Sequence, residues 1–569
     1  MKKIKKLKEL FDIYKLDGYL IPKNDEYFNE YVIPSKDRLK FISNFSGSAG
    51  FAIILKKENY LFVDGRYTIQ AQIQSGNNFK IITIPNKLPK DIFKNKKKIK
   101  IGYDPKLLSE KSLNFILNSK NIIPYSVKKN LIDILWLRKP KEIIKPFYHL
   151  TKRETGQNYE KKISKIKKIL LKNKLNYLLV TAPENIAWIL NIRGYDSEFS
   201  PIPNARLLIS SKGDLDMFSK PEKILKIKKS FLGKISFYNE DIIERKLNKI
   251  RKNKICIDSL SCPLYYKNIL KKNNIIFEKI DPIYFIKSIK NNTEIKNMKK
   301  IHIFDGIALT KFLFWLKKNF KKKKITEIYA QEKLEKFRKM NKKYKFPSFS
   351  TISGSGPNSA IIHYKASIKS NRTLKNGDLY LLDSGGQYSF GTTDVTRTIS
   401  LNNNSKSIKE IYTRVLKGHI AVSNYKIGKN TNGSDVDKSA RKSLKEISLD
   451  YPHGTGHGVG YYLNVHEGPQ SISKNNKVNL KTGMVISNEP GFYKKGQFGI
   501  RIENLVYIKN NRFEELTMAP IEKSLINKKI LSKKEINWLN KYHIKVKKNL
   551  FKFMNREEKS NLINACSPI

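Results

Sequence analysis

The sequence predicts a multidomain protein of mixed α/β and α+β class, in which two related α/β domains precede a third domain rich in strands and glycine turns. Three observations predict it. The chain has 569 residues, beyond the length at which one hydrophobic core stops growing. One order of helix and short strands occurs twice in the first half. The second half changes texture and gathers most of the histidines. The expected domains are 1–150 and 151–290, both α/β, and 291–569, which ends in a helical extension from about residue 513.

The first copy opens on Ile4, Leu7, Leu10, Phe11 and Tyr14 at helical spacing. It continues through Gly18-Tyr-Leu-Ile-Pro22, Phe41 to Leu55 and Tyr60 to Tyr67. The second opens on a Lys/Ile/Leu helix at 159–173 and continues through Asn176 to Val180, Ile186 to Gly194 and Ala205 to Ser210. Helical periods alternating with short apolar runs that stop at glycine are the pattern of an α/β unit. Pro140, Pro146 and a polar stretch place the junction between Lys139 and Gly156. A helix-rich stretch, Thr293 to Met340, leads into Phe346 to Tyr507, where strands and glycine turns dominate. Helical spacing returns beyond Phe513, with Trp538, Leu539 and Tyr542.

The formal charge is +62. Lysines run through every segment, however, including the Lys96–Lys98 and Lys321–Lys324 runs, without the interleaved aromatics of a nucleic-acid face. They read as a solvated surface, and no nucleic-acid partner is expected. Cys256, Cys262 and Cys566 form no CxxC pair, which excludes a thiolate metal site and a disulfide framework and fits a reducing, cytoplasmic compartment. The amphipathic N-terminus lacks the apolar core of a signal peptide, and no run is long enough to span a membrane.

Five of the eight histidines, His363, His419, His453, His457 and His466, fall within one stretch of the third domain. Four carboxylates sit there in apolar, strand-like runs: Asp383, Asp394, Glu489 and Glu503. An acid at the end of a buried strand is costly unless it is paired or metal-bound. Asp383 and Asp394 flank Gly385, Gly386 and Gly391, and Glu489 and Glu503 flank Gly491, Gly496 and Gly499. Two hairpins therefore direct four carboxylates and an imidazole into one pocket. Oxygen-rich ligation with one histidine suits Mn²⁺, Co²⁺ or Zn²⁺. Four anionic ligands exceed the needs of one catalytic ion, so two ions are expected. His419 lies in an apolar helical run and reads as a core histidine.

His453-Gly-Thr-Gly-His457-Gly-Val-Gly, Val465-His466-Glu467-Gly-Pro, Asn488-Glu489-Pro-Gly and Ile500-Arg-Ile-Glu503-Asn resemble the pita-bread metallopeptidases. Ser350-Thr-Ile-Ser-Gly-Ser-Gly-Pro-Asn-Ser-Ala-Ile-Ile-His363-Tyr and Leu416-Lys-Gly-His419-Ile-Ala-Val-Ser are similar to the three-domain, cytosolic-type Xaa-Pro aminopeptidases. The likeness extends to Asp64-Gly-Arg66-Tyr67 near the start and to Trp538-Leu-Asn-Lys-Tyr-His543 in the tail. It implies two creatinase N-like domains before a pita-bread catalytic domain, and metal ligands at Asp383, Asp394, His457, Glu489 and Glu503. It also implies Mn²⁺ as the usual ion, a homodimer, and hydrolysis of an N-terminal Xaa-Pro bond by a hydroxide held between the ions. In that scheme Glu489 shuttles the proton, and His363 or His466 assists catalysis at the oxyanion. His363, His453, His466, Arg501 and, more remotely, Arg66 bind substrate. Arg501, two residues before Glu503, is placed to orient the carboxylates.

The alternative within this fold is a prolidase, which normally has one N-terminal domain rather than two; a methionine aminopeptidase needs little beyond the third. The alternative from another class is a non-catalytic pita-bread binding protein, and such relatives usually lose ligands that are intact here.

Overall fold

The computed structural model describes residues 2–94, 97–231, 233–402 and 404–569. Lys96 of the first lysine run lies outside them, and Lys321–Lys324 forms an exposed turn between two helices. The chain makes two compact units, residues 2–152 with 157–284, and residues 153–156 with 285–569. Among the described residues no helix is long and apolar enough to cross a membrane.

The first unit contains the predicted repeat. Its first sheet has six strands in the order Lys80–Ile84, Asn59–Asp64, Phe51–Leu55, Gly18–Pro22, Ile99–Tyr103, Ile122–Ser126. The second runs Ser236–Tyr238, Leu215–Phe218, Arg206–Ser210, Tyr177–Val180, Lys254–Asp258, Ile275–Lys279. Both place the first strand of the copy fourth, antiparallel to the next one in sequence and parallel to the later one on its other side. Ile4, Leu7 and Phe11 of the opening helix, Lys2–Ile13, are buried on the first sheet's core. One part of the expected pattern differs. Ile186 to Leu190 belongs to a helix, Pro183–Ile189, and its cap. Its residues are apolar and buried on nearly every side, so the period that marks a surface helix is absent; Pro183 at the first turn is the local signal for it.

In the second unit the helix Asn292–Asn319 starts at a capping box of Asn291 and Glu294. The following region is less strand-dominated than expected, since it includes the helices Lys406–Ser423 and Gly433–Lys445, each with a side-chain N-cap. Tyr412, Val415, Leu416 and Ile420 of the first of these bury against Leu379, Ile500 and Ile502 beneath the site, and Leu539, Tyr542 and Val546 of the tail helix Lys533–Leu550 join the same core.

The strands carrying the acids are nested. Leu379–Ser384 pairs antiparallel with Val395–Ser400, Asp383 opposite Thr396, while Gly386–Tyr388 and Gly391–Thr392 form a separate hairpin between them. Val485–Asn488 pairs in the same way with Asn504–Lys509, and Gly491–Lys494 with Phe498–Arg501 forms the inner hairpin. Each pair of acids thus sits where the chain leaves and rejoins an outer ladder. A single tight turn joining the two carboxylates, the simplest reading of the glycine spacing, is replaced by this nested arrangement.

His419 is buried in the helix Lys406–Ser423, donates from Nδ1 to the carbonyl of Asn488 at 3.1 Å and meets Trp538 edge to face. Burial, with Arg397 nearby, pushes its pKa down to about 3. In the unfolded chain this imidazole takes up a proton below about pH 6.5, whereas in the fold it stays neutral, so its contribution to stability is present above about 6.5 and lost as the pH falls. At pH 5 the difference is about 2 kcal/mol. Denaturant titrations at pH 7.5 and pH 5 are expected to show that His419→Gln, although less stable at pH 7.5, loses about 2 kcal/mol less than the wild type on acidification. Equal losses in the two proteins contradict a neutral buried imidazole.

Candidate metal centre

His457 lies on the short strand Gly456–Gly458. A Cβ on Gly456 would stand 1.9 Å from the Ser487 carbonyl oxygen, so glycine is what lets this strand press against the one that leads to Glu489. The His457 backbone N–H donates to Ser487 Oγ at 2.9 Å, and that hydroxyl donates to Glu489 Oε1 at 3.0 Å. His457 Nδ1 donates to the Gly458 carbonyl at 2.9 Å. Nε2 faces inward, 3.4 Å from both Asp394 Oδ2 and Glu489 Oε1, and in the neutral ring it is the nitrogen that carries the lone pair. Asp394, His457 and Glu503 each offer a ligand atom, and these atoms lie within 4.8 Å of one another.

Asp383 and Glu503 are oriented by one arginine and one threonine. Arg501 donates to Asp383 Oδ2 at 2.7 Å, to the Tyr493 hydroxyl at 2.6 Å and, from Nε, to Thr396 Oγ1 at 3.2 Å. Thr396 passes its own proton to Glu503 Oε2 at 2.8 Å. The Tyr493 hydroxyl donates to His453 Nε2 at 2.8 Å, since His453 Nδ1 donates to the Gly454 carbonyl. The buried Arg397 donates to the Glu503 carbonyl at 2.6 Å and to the Tyr542 hydroxyl at 2.9 Å, which ties the tail helix to the strand behind this ligand.

Electrostatics show what the group lacks. Burial pushes the Asp383 pKa up to about 6, against the pull of Arg501, with Asp394 and Glu489 adding to the rise. Burial likewise raises Glu489, and raises Glu503 well above the usual carboxylate range with the other three acids contributing. Burial alone would lower His457, but Asp394 and Glu489 outweigh it and carry the imidazole up to about 9. Asp383 Oδ1 is buried without a hydrogen-bond partner among the described residues. A convergent set of acids short of positive charge, an imidazole whose Nε2 is turned toward them and an orphaned carboxylate oxygen are the fit expected of a site for divalent cations.

The remaining expected residues fall as follows. His466 is exposed, its ring 4.3 Å from that of His457. His363 is half-buried on the segment after the short helix Gly356–Ala360. Arg501 is buried and its guanidinium is engaged by Asp383, Tyr493 and Thr396, the geometry of a residue that orients a ligand rather than one that meets substrate. Arg66 belongs to the other compact unit, where it is half-buried and bonds Asp64 at 2.9 and 2.7 Å. Sequence reasoning missed Tyr493, Thr396, Ser487 and Arg397. The only local hint was their place among the glycines and acids of the same hairpins.

The segment 296–510 matches the model of metallopeptidase family M24, and 510–569 matches the C-terminal region of that peptidase. Residues 3–126 and 138–294 each match a creatinase/prolidase N-terminal domain. The Xaa-Pro aminopeptidase 1 of Dictyostelium discoideum is 36% identical over 99% of this chain and 95% of its own length. The chain belongs to the Xaa-Pro aminopeptidases of metallopeptidase family M24. A solved structure of X-prolyl aminopeptidase from Caenorhabditis elegans, described as a cytosolic enzyme with a di-nuclear active site, superposes with TM-score 0.94 at 31% identity, covering 100% of this chain and 99% of that one. The prolidase from Pyrococcus horikoshii, 28% identical with TM-score 0.53, covers 64% of this chain and 99% of its own. The M24 aminopeptidase reading thus accounts for both N-terminal sheets, and a prolidase accounts for less of the chain.

The raised pKa values generate a prediction. In the metal-free fold, protons on Asp383 and His457 compete with the cations, and raising the pH removes them. Their stabilising contribution in the metal-free protein is lost as the pH climbs through about 6 and about 9 respectively, while cation affinity grows. Chelation is therefore expected to lower the melting temperature more at pH 8 than at pH 6, as read by differential scanning fluorimetry of loaded and stripped protein. A drop that is equal or smaller at pH 8 contradicts these protonation states.

Proposed function

We propose that this Xaa-Pro aminopeptidase releases the first residue of peptides with proline in second position, at two divalent ions held by Asp383, Asp394, His457, Glu489 and Glu503. The observation that carries the reading is the convergence of four carboxylates and one inward-facing imidazole with too little positive charge among them. When bound, the ions supply Lewis-acid charge to the scissile carbonyl and lower the pKa of the attacking water. Glu489, whose carboxylate burial makes more basic than usual, takes the water's proton and returns it to the departing proline nitrogen. His466, exposed beside His457, and His363 donate to the oxyanion and position the proline side of the peptide. His453 acts with them in holding substrate, its orientation set through Tyr493 by Arg501. The place of Arg66 in substrate binding rests on its Asp-Gly-Arg-Tyr motif.

Manganese is the proposed ion, in keeping with ligands that are mostly carboxylate oxygens, with Co²⁺ and Zn²⁺ as the other candidates. The proposed setting is the cytoplasm, in line with the C. elegans relative's description and with three free, buried cysteines. A homodimer through the third domain is part of the same proposal. Domain boundaries near residues 150 and 290 are part of the same proposal; the family matches change over between 126 and 138 and between 294 and 296, the first of these lying ahead of residue 150.

Hydrolysis of Arg-Pro-Pro and Arg-Ala-Ala with added Mn²⁺ tests the activity. Arginine is expected from the proline peptide alone, and Glu489→Ala is expected to reduce its release by more than about 10³-fold. Cleavage of both peptides removes the proline selectivity. Cleavage of neither removes the catalytic reading, and activity confined to the dipeptide Arg-Pro favours a prolidase.

A further inference from the structure

The run from Ser350 to Tyr364 is long and unusual, yet the catalytic reading uses only His363 from it. The rest of the run converges on a group outside the metal centre. Glu327, the first residue of the helix Glu327–Lys339, is fully buried. Its Oε1 accepts from the backbone N–H of Ser355 at 2.7 Å and from Asn358 Nδ2 at 3.1 Å. Its Oε2 accepts from the Tyr364 hydroxyl at 2.8 Å and the backbone N–H of Arg372 at 2.9 Å. Among the described residues no lysine, arginine or histidine side chain forms an ion pair with it. Four donor groups and the helix N-terminus satisfy the carboxylate instead.

These donors come from both sides of His363. Ser355 ends the strand Ile352–Ser355, whose Ile352 pairs with Asp383. Asn358 lies five residues before the histidine, Tyr364 directly after it, and Arg372 beyond the exposed Ile368. The other side of the segment is fixed to the metal-bearing strands. Ser359 Oγ accepts from the Gly499 N–H at 2.7 Å, and a Cβ on Gly499 would lie 1.9 Å from the Ser359 carbonyl oxygen. Tyr364 belongs to a small buried cluster with Ile352 and Leu381, against which Ile361 and Tyr493 pack. His363 is thus carried on a segment clamped between Glu327 and the hairpin that ends at Arg501.

We propose that Glu327 is a positioning residue for His363, its buried carboxylate gathering Ser355, Asn358, Tyr364 and Arg372 so that the imidazole is held where it meets substrate. The proposal rests on the reading of His363 as a substrate-facing group. It also explains the chemistry of the motif: Asn358 and Tyr364 serve as anchors, and the histidine between them does the work on the peptide.

Kinetics of the full-length, Mn²⁺-loaded protein on Arg-Pro-Pro test it with Glu327→Gln, Tyr364→Phe, His363→Ala and the two double variants that combine His363→Ala with each of the others. Glu327→Gln keeps the shape but turns an amide NH₂ toward donors. It is expected to lower kcat about 10- to 100-fold with KM changed less than about threefold, bound metal remaining at the wild-type level. Tyr364→Phe lowers kcat in the same direction by less. In the His363→Ala background neither change is expected to cost more than about twofold, because residues that act through one group are not additive. Full additivity in that background overturns the proposal, as does wild-type kcat in Glu327→Gln. If Glu327→Gln does not fold, Tyr364→Phe carries the same comparison. Wild-type kcat in His363→Ala also overturns it by removing the role of His363, and is told apart from failure of the proposed activity because the wild type still releases arginine.

Discussion

Mutual repulsion among Asp383, Asp394, Glu489 and Glu503 is the constraint on which the second unit depends. Carboxylates gathered in a buried volume raise one another's pKa and resist ionisation. Arg501 and a protonated His457 answer only half of that charge, whereas two divalent ions answer all of it and let His457 be neutral. The surrounding architecture holds the ligands in place before the ions arrive. Each acid sits at the mouth of a nested pair of hairpins, where the outer ladders fix the backbone and carry Thr396 and Ser487, and the second inner hairpin carries Arg501 and Tyr493. Arg501 crosses from the second nest to Asp383 of the first, and Thr396 crosses back to Glu503. Removing one partner of such a buried pair costs about 3–5 kcal/mol, so the two nests hold each other in register.

The tail helix belongs to the same construction. Arg397 spends its donors on carbonyls, Asn504 and the Tyr542 hydroxyl, and among the described residues it pairs with no carboxylate. Its position between Glu503 and residues 519, 520 and 542 makes the C-terminal extension part of the support behind a metal ligand. Glu327 does for the His363 segment what Arg397 does for Glu503. Both are fully buried single charges that gather neutral partners and fix backbone, one on each side of the chemistry.

Much of this was legible in the sequence for reasons that can be named. The repeat in the first unit showed because alternating apolar runs and glycine stops survive without tertiary information, and the two sheets share one strand order. The metal ligands stood out because Asp383, Glu489 and Glu503 interrupt apolar runs where an acid is otherwise unfavourable. Pro183–Ile189 was hidden because a helix buried on nearly every side shows no face. Lys406–Ser423 showed in part, as the apolar helical run around His419, whereas Gly433–Lys445 was overshadowed by the glycines around it, though the Asn432–Asp435 capping box marks its start. Tyr493, Thr396 and Glu327 were not legible as site residues. Their roles come from contacts across 40 or 105 positions of sequence, as in His453 with Tyr493 and Thr396 with Arg501, and no local pattern announces such a meeting.

The most direct test of the account is the metal content of the chain, measured by inductively coupled plasma mass spectrometry after stripping and reconstitution with Mn²⁺, for the wild type and for Glu503→Gln and Asp383→Asn. Two ions per chain in the wild type, with about one or fewer in each variant at unchanged secondary structure, is the result expected of a shared carboxylate site. One ion or none in the wild type, or full occupancy in both variants, contradicts the claim that these carboxylates exist to hold two cations.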